Sequence, residues 1–151
     1  MIRPATIDDA PAILPIWNQV IRETTITFNP TEKTLSEVES LIAQDCLVWD
    51  AAGTVQGFAR IFPFRGGAGY RFTVEHTIML HPDSQGQGGG RALLDALCTL
   101  AKAQGMHAMI AACSAERPEA VKFHAACGFE TVATMPEVGF KFGRWIDLVL
   151  M

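Results

Sequence analysis

A glycine-rich segment near the middle of the chain, Gln85-Gly-Gln-Gly-Gly-Gly-Arg91, limits the possible folds more than any other feature. It follows the run Phe72–Leu80, whose β-branched and aromatic residues predict a strand. It precedes a predicted helix that carries leucines on one side, at positions 93, 94, 97 and 100. Consecutive glycines let a ligand approach the backbone closely, and a helix N-terminus offers free N–H groups to phosphate. The segment therefore predicts a phosphate-binding loop, with a merely flexible connection as the alternative.

Two common phosphate-binding motifs do not fit this loop. The dinucleotide fingerprint needs a small residue where the chain has Arg91, and no Gly-Lys-Ser/Thr follows as a P-loop requires. The loop also lies in mid-chain, whereas dinucleotide-binding folds usually begin with it. A different phosphate ligand is therefore expected.

Length, composition and charge exclude several classes of protein. The 151 residues are 49% hydrophobic and 19% charged, an ordinary globular balance, and they predict one domain over residues 1–151. The formal charge of −4 disfavours a general nucleic-acid binder. No apolar run approaches the ~18 residues of a membrane span, and the N-terminus lacks the apolar core of a signal peptide. We therefore expect a cytoplasmic protein that binds neither nucleic acid nor membrane, with buried, reduced thiols at Cys46, Cys98, Cys113 and Cys127.

Hydrophobic spacing and turn residues predict the order β-α-α-β-β-β-α-β-α-β-β. This is an α/β (α+β) fold with a mixed central sheet of about seven strands and about four helices on both faces. Asp8 or Asp9 can cap the first helix, and Thr34-Leu-Ser-Glu37 has the spacing of a capping box for a second helix through about Gln44. Pro118 suits the first turn of the last helix, which should end near Gly128. The predicted strands are Ile2–Thr6, Cys46–Ala51, Thr54–Ile61, Phe72–Leu80, Met106–Ala111, Phe129–Met135 and Trp145–Leu150.

The pattern Gln-x-x-Gly-x-Gly at positions 85, 88 and 90 resembles the pyrophosphate loop of the GNAT superfamily of N-acetyltransferases. Four further segments resemble one branch, the phosphinothricin and methionine sulfoximine acetyltransferases: Ile2–Thr6, Thr24–Phe28, Tyr70–His76 and Val138–Asp147. The resemblance covers nearly the whole chain, and Thr73–His76 and Lys141–Asp147 are its most specific parts. It implies a single-domain GNAT-like fold and acetyl transfer from acetyl-CoA to the amino group of a small amino-acid-like substrate.

The resemblance also implies how acetyl-CoA binds. The pantetheine arm would lie beside the strand that ends near Leu80, bonded to the main chain of Ile78, Met79 and Leu80. The pyrophosphate would rest on the amides of Gln85, Gly86, Gln87, Gly88, Gly89, Gly90 and Arg91. A splayed sheet would open the slot in which the thioester and the amine meet.

Acyl transfer needs a neutral amine, so a nearby base must accept the ammonium proton. Glu75 is the first candidate, because a carboxylate inside an apolar strand needs a partner or a purpose, and the resemblance places the family's proposed catalytic glutamate there. The alternatives are a solvent-facing residue or the partner of an arginine. His124 is the second candidate; most GNAT enzymes have tyrosine at this place as the acid that protonates the thiolate, and this branch has histidine. Histidine can act as acid or base near neutral pH, or His124 can be only an interface residue.

An amino-acid substrate would present a carboxylate, for which arginine or lysine is the natural partner. Arg71, Lys141 and Arg144 lie in the branch-specific segments, although Lys141 and Arg144 could equally be solvated loop charges. We expect Arg71 and the stretch Thr73, Val74 and Glu75 to line the acceptor pocket, with Phe28 as an apolar wall. The resemblance makes a homodimer plausible. Two residues depart from the family pattern: Arg117 stands where an asparagine usually contacts coenzyme A, and Phe72 stands where relatives often have a smaller or polar residue.

Other functions remain open at this point. The chain could be a GNAT enzyme for another amine, such as a polyamine or a protein N-terminus, or a non-catalytic acyl-CoA-binding sensor. The cationic residues named above disfavour a polyamine. No G-x-S-x-G elbow indicates a hydrolase, and His76 and His81 form no recognisable metal motif, so we expect no metal.

Overall fold

The computed structural model describes residues 1–151, which form eight β-strands and four α-helices. In chain order these are β1 Ile2–Pro4, α1 Ala10–Glu23, α2 Leu35–Ile42, β2 Cys46–Ala51, β3 Thr54–Pro63, β4 Thr73–Leu80, α3 Gly89–Ala103, β5 Ala108–Ile110, β6 Ala112–Ser114, α4 Pro118–Ala126, β7 Ala133–Lys141 and β8 Arg144–Leu150. The order agrees with the sequence prediction except that one expected strand is divided into β5 and β6.

The strands form two sheets instead of one continuous sheet. Five strands lie in the order β1-β2-β3-β4-β5, with β4 and β5 parallel and the other neighbours antiparallel. Three strands form the antiparallel order β6-β8-β7. The chain passes from the first sheet to the second at Ala111, whose N–H and C=O both bond to Met151. The predicted strand Met106–Ala111 is therefore split, because its two halves pair with different neighbours.

Helices cover both faces of the five-stranded sheet, as the hydrophobic pattern predicted. On one face, α1 and α2 bury apolar side chains against β2 and β3, and Met79 of β4 belongs to this cluster. On the other face, α3 packs Leu93 and Leu97 against Val74 of β4 and against Ile78 and Leu80. Successive side chains of a strand point to opposite faces. Odd-numbered residues of β4 therefore face α1, and even-numbered residues face α3 and α4.

Local signals located some element ends well and others poorly. The capping box of α2 is confirmed, since the Glu37 N–H donates to Thr34 Oγ1 and the Thr34 N–H donates to the Glu37 carboxylate. The predicted strand Phe129–Met135 is wrong, because β7 begins only at Ala133 and continues to Lys141. Its register shifts between Met135 and Gly139, and such a bulge accommodates the proline at position 136.

The cysteines differ in their surroundings. All four are free; Cys46 and Cys113 are buried, as expected, whereas Cys127 is half-buried and Cys98 is exposed on α3. The expectation of four buried thiols is therefore wrong for these last two. Among the helices, none combines the length and apolar character needed to span a bilayer.

Candidate active site

The sheet opens at Glu75. Hydrogen-bonded pairing of β4 with β5 covers only Thr73 to Glu75, and Glu75 lies opposite Ile110 as the last pair. Beyond this point the chain of β5 turns away and β6 pairs with β8. The remaining part of β4 is thus left without a partner on one side. The resemblance implied such an opening, but the residues alone could not locate it, because its position depends on which strand β6 pairs with.

A single large cavity of about 890 Å³ occupies this opening. Its walls include the open part of β4, the glycine-rich loop, α4, and on the other side α1 with the segment that follows it. Such a volume suits a small-molecule site. Glu75 and His124 both line the cavity, so the structure brings the two predicted catalytic residues to one site.

The main chain of β4 presents alternate residues to the opening. The N–H of His81 donates to Gln56 O, and the N–H of Phe64 donates to Thr73 O, so odd-numbered residues of β4 bond to β3. The main-chain groups of Ile78 and Leu80 therefore point towards the opening, where an extended ligand can bond to them. Met79 lines the cavity, but its N–H and C=O point to β3. The expectation of a main-chain contact from Met79 is thus wrong.

The glycine-rich loop ends in a helix N-terminus with free donors. No side chain caps α3, and its first helical bond runs from the Ala92 N–H to the Gly88 carbonyl. The N–H groups of Gly89, Gly90 and Arg91 precede that bond, and Gly88 has a positive φ of 82°. Uncapped N–H groups at a positive helix end are the usual setting for a phosphate anion. Residues of this loop that line the cavity are Gln85, Gly86, Gly88, Gly90 and Arg91.

Two loop residues have structural contacts that the sequence did not reveal. Gln87 Nε2 donates to the Asp83 carbonyl at 2.9 Å, which braces the loop. A Cβ at Gly89 would lie 2.0 Å from the Trp49 ring, so this glycine allows α3 to pack on β2. Neither Gln87 nor Gly89 lines the cavity. The Arg91 guanidinium does line it, and it also donates a hydrogen bond to the Ala126 carbonyl of α4.

Glu75 has the surroundings expected of a base. Its side chain is half-buried on the α1 face of the opening, and none of the six ion pairs of the chain includes it. Burial raises the pKa of this carboxyl above its usual value. A raised pKa brings a carboxylate closer to the pH at which it can exchange protons effectively.

His124 lies on the opposite side of the opening, buried on α4. Its Nδ1 is 2.7 Å from the Ala120 carbonyl oxygen, which can only accept, so Nδ1 carries the proton. Burial lowers the pKa of His124, although the bond to Ala120 acts in the other direction. The resting ring is therefore neutral, with a lone pair at Nε2.

His76 is a second buried histidine beside His124, with ring centroids 5.0 Å apart. Phe129 packs against both rings. Neither ring nitrogen of His76 has a hydrogen-bond partner within the chain, and neither has Nε2 of His124. Burial, and then the proximity of His124, lower the pKa of His76 to about 3. Both imidazoles line the cavity as neutral groups.

Several residues predicted for the acceptor pocket lie elsewhere. Val74 is buried against α3, because even-numbered side chains of β4 point to that face of the sheet. Thr73 lies in the part of β4 that pairs with β5, before the opening. Arg71 is exposed; it donates to the Ala68 carbonyl and its guanidinium lies 4.4 Å from the Phe72 ring centroid. These positions correct the expectation that Arg71, Thr73 and Val74 line the cavity within one chain. Phe72 is likewise exposed and narrows no part of it.

Lys141 of β7 and Arg144 of β8 already bond to other groups of the chain. Lys141 is 3% exposed, and its Nζ donates to the carbonyls of Thr24 and Thr27 at 2.6 and 2.8 Å. Arg144 forms a bidentate ion pair with Glu116 at the surface. Neither lines the cavity, so the expectation of a direct carboxylate contact is corrected for both. Phe28 does line the cavity, as predicted.

Sequence inspection missed Lys33, a cation that lines the α1 side of the cavity. Lys33 lies between α1 and α2, with its Nζ 5.2 Å from the Trp17 ring centroid. The Asn18 side chain bonds both the N–H and the C=O of Lys33 and so fixes its backbone. No motif surrounds Lys33, and only the fold brings it to this wall. Arg117, the departure from the family pattern, also lines the cavity and pairs with Glu119 at 2.7 Å.

A splayed sheet with an uncapped helix at one end of the opening and a carboxylate at the other suits a small molecule that carries phosphate. The chain belongs to the acetyltransferase (GNAT) family, whose sequence model matches residues 16–129.

Individual relatives agree with this assignment. The chain is 38% identical to an L-methionine sulfoximine/L-methionine sulfone acetyltransferase from Pseudomonas aeruginosa, covering 99% of this chain and 91% of that protein. It is 34% identical to a phosphinothricin N-acetyltransferase from Alcaligenes faecalis, covering 99% of this chain and 80% of that protein. A solved structure of an acetyltransferase from Salmonella typhimurium with acetyl-CoA superposes with a TM-score of 0.96, at 34% identity, covering 100% of this chain and 91% of that one. The resemblance to this branch is therefore confirmed, as is the GNAT fold.

Proposed function

We propose that this protein transfers the acetyl group of acetyl-CoA to the amino group of a small amino-acid-like substrate of the methionine sulfoximine, methionine sulfone or phosphinothricin type. The observation that carries the proposal is the position of Glu75, at the point where the sheet opens and inside the cavity that reaches the α3 N-terminus. Names of the similar proteins support the substrate class.

The residues of the chain fit acetyl-CoA. The free N–H groups of Gly89, Gly90 and Arg91 suit its pyrophosphate, and the outward main-chain groups of Ile78 and Leu80 suit the amides of its pantetheine arm. When bound, acetyl-CoA supplies an activated acyl carbon and a thiolate leaving group. The cavity would then place the thioester in the opening of the sheet.

Glu75 and His124 would divide the proton transfers. Glu75 faces α1, from which side the acceptor approaches, and would accept the proton of the acceptor ammonium group directly or through water. His124 lies on the coenzyme side and rests with an unprotonated Nε2. Its Nε2 would accept the proton that the attacking nitrogen releases as the amide forms, and would pass that proton to the departing sulfur. The geometry therefore favours Glu75 as the first base.

On the acceptor side, Lys33 would provide the positive charge for the substrate's anionic group, since it lines the cavity and takes part in no ion pair. Phe28 and Trp17 give this side an apolar wall. The acids Glu23 and Glu75 also line it. These two carboxylates favour a second candidate function, the acetylation of a cationic polyamine, and the acceptor screen must include one.

The decisive experiment measures thiol release from acetyl-CoA in the presence of methionine sulfoximine, methionine sulfone, phosphinothricin, spermidine and an N-terminal peptide. Turnover with the first three supports the proposal, and turnover only with spermidine or the peptide replaces the acceptor class. Calorimetric binding of acetyl-CoA without turnover on any amine would support the non-catalytic sensor instead.

We also propose that the protein is a homodimer in the cytoplasm. The hairpin formed by β7 and β8 exposes Phe140, Phe142 in its turn, and Trp145, whose exposed fraction is 63%. Clustered exposed aromatic residues mark interaction surfaces. Four free cysteines suit a reducing compartment. In a dimer Arg71 could serve the partner's acceptor site, and Arg71→Ala should then raise the KM for the acceptor more than that for acetyl-CoA. A monomer by analytical ultracentrifugation would contradict the dimer.

A further inference from the structure

One wall of the cavity is neither helix nor strand. The segment Thr24–Phe28, which we call the acceptor wall, follows α1 and contributes Thr24, Ile26, Thr27 and Phe28 to the cavity lining. No sheet ladder fixes it. Something else must hold its position, since transfer of an acyl group depends on accurate placement of the attacking amine.

Lys141 supplies two of the bonds that hold the acceptor wall. Its Nζ reaches from the end of β7 and donates to the carbonyls of Thr24 and Thr27, the two residues at either end of a four-residue stretch. No carboxylate pairs with this buried ammonium group, although the Phe142 ring centroid lies 4.9 Å away. Carbonyls at a helix C-terminus carry partial negative charge, which favours a cation there.

The burial of Lys141 is difficult to explain by stability alone. Removing a charge from water is costly even when it is hydrogen-bonded, and apolar residues of similar size often serve the fold as well. Burial accordingly lowers the pKa of Lys141. What the lysine provides, and an apolar residue would not, is a fixed distance from β7 to two points of the acceptor wall.

Gly139 provides an independent contact from the same strand. It is buried, and a Cβ at this position would lie 2.4 Å from the Phe28 ring. The ring of Phe28 thus lies directly on the backbone of β7, two residues from Lys141. A third contact joins Thr25 Oγ1 to Ser114 Oγ of β6 at 3.3 Å. The small sheet therefore holds the acceptor wall at several points, in addition to the bonds that Thr24 makes to the Val20 carbonyl of α1.

We infer that Lys141 is a positioning residue that sets the acceptor side of the active site through the backbone of the acceptor wall, without touching either substrate. The inference rests on the proposed function, since it concerns the acceptor of that reaction. It assigns acceptor recognition partly to a residue outside the cavity. Coenzyme binding, which uses β4 and α3, should be independent of it.

The test compares Lys141→Met with Lys102→Met, a matched change of an exposed lysine near the end of α3. Steady-state kinetics should show kcat/KM for the acceptor reduced about ten- to a hundredfold in Lys141→Met, the range expected for a displacement of ~1 Å in a positioning group. The KM and the calorimetric Kd for acetyl-CoA should change less than about twofold. The control variant should match the wild type in all three.

Equal changes in the acceptor and acetyl-CoA constants, or no change in either, would overturn the inference. If Lys141→Met fails to fold, Lys141→Gln, which carries an amide N–H donor on a shorter side chain, provides the same test, with acetyl-CoA binding as the check on folding. Gly139→Ala, which displaces the Phe28 ring and leaves Lys141 in place, should reproduce the acceptor defect. Failure of the proposed function would appear earlier and separately, as a wild-type protein that acetylates none of the amines.

Discussion

Acid should destabilise this protein through His76. The unfolded chain binds a proton at this imidazole below its ordinary pKa of 6.5, whereas the folded chain binds one only near pH 3, because burial and the neighbouring His124 oppose the charge. The pKa is thus depressed on folding. The corresponding stability is present above pH 6.5 and is lost progressively as the pH falls towards 3.

The size of the effect follows from the two pKa values. Each tenfold difference in proton affinity corresponds to about 1.4 kcal/mol, so between pH 7 and pH 5 the chain should lose about 2 kcal/mol of its free energy of unfolding through His76 alone. For a domain of about 150 residues this lowers Tm by about 4–8 °C.

Urea or thermal unfolding of the wild type and of His76→Phe, each at pH 7 and pH 5, measures the effect. Phenylalanine removes the titrating group and the two unpartnered nitrogens, and it keeps an apolar ring beside Phe129. Between pH 7 and pH 5 the free energy of unfolding should fall about 2 kcal/mol less in His76→Phe than in the wild type, whatever the stability of the variant at pH 7. Exchange of the exposed His107 for asparagine is the control. Equal losses in wild type and His76→Phe would refute the reasoning.

Three further predictions concern the active site. Glu75→Gln should lower kcat/KM about 10²- to 10⁴-fold. It should also remove the acidic limb of the pH profile, whose midpoint in the wild type should lie above the usual glutamate pKa because burial raises the pKa of Glu75. Near-normal turnover would exclude Glu75 as the base. His124→Tyr should keep a substantial part of the activity in the same assay, because a tyrosine hydroxyl can also donate a proton to the departing sulfur; loss of most activity would instead show that His124 acts as a base. Gly89→Ala should lower the free energy of unfolding in urea by about 1–3 kcal/mol, since its Cβ would meet the Trp49 ring. Trp49→Leu in the same chain should restore part of this free energy. An unchanged urea midpoint for Gly89→Ala would show that α3 can shift freely.

The glycine-rich loop and its uncapped helix could be predicted from the sequence because their signals are local. A strand followed by consecutive glycines and an amphipathic helix places free N–H groups in one position, whatever the rest of the chain does. Glu75 stood out for a similar reason, as a carboxylate in an apolar strand. The sequence did not show the division of Met106–Ala111 into two strands, because that depends on the pairing of β6 with the distant β8.

The acceptor side could not be predicted in the same way, because the contacts that form it join distant parts of the chain. Lys141 looked like a carboxylate partner, yet it bonds to carbonyls more than 110 positions away. Lys33 drew no attention, yet the fold places it in the cavity. Main-chain contacts tolerate changes of side chain, whereas the acceptor wall should shift when Lys141 or Gly139 changes, because both contact it directly. Differences in acceptor among related enzymes should therefore arise as often from residues behind the wall as from those that line it.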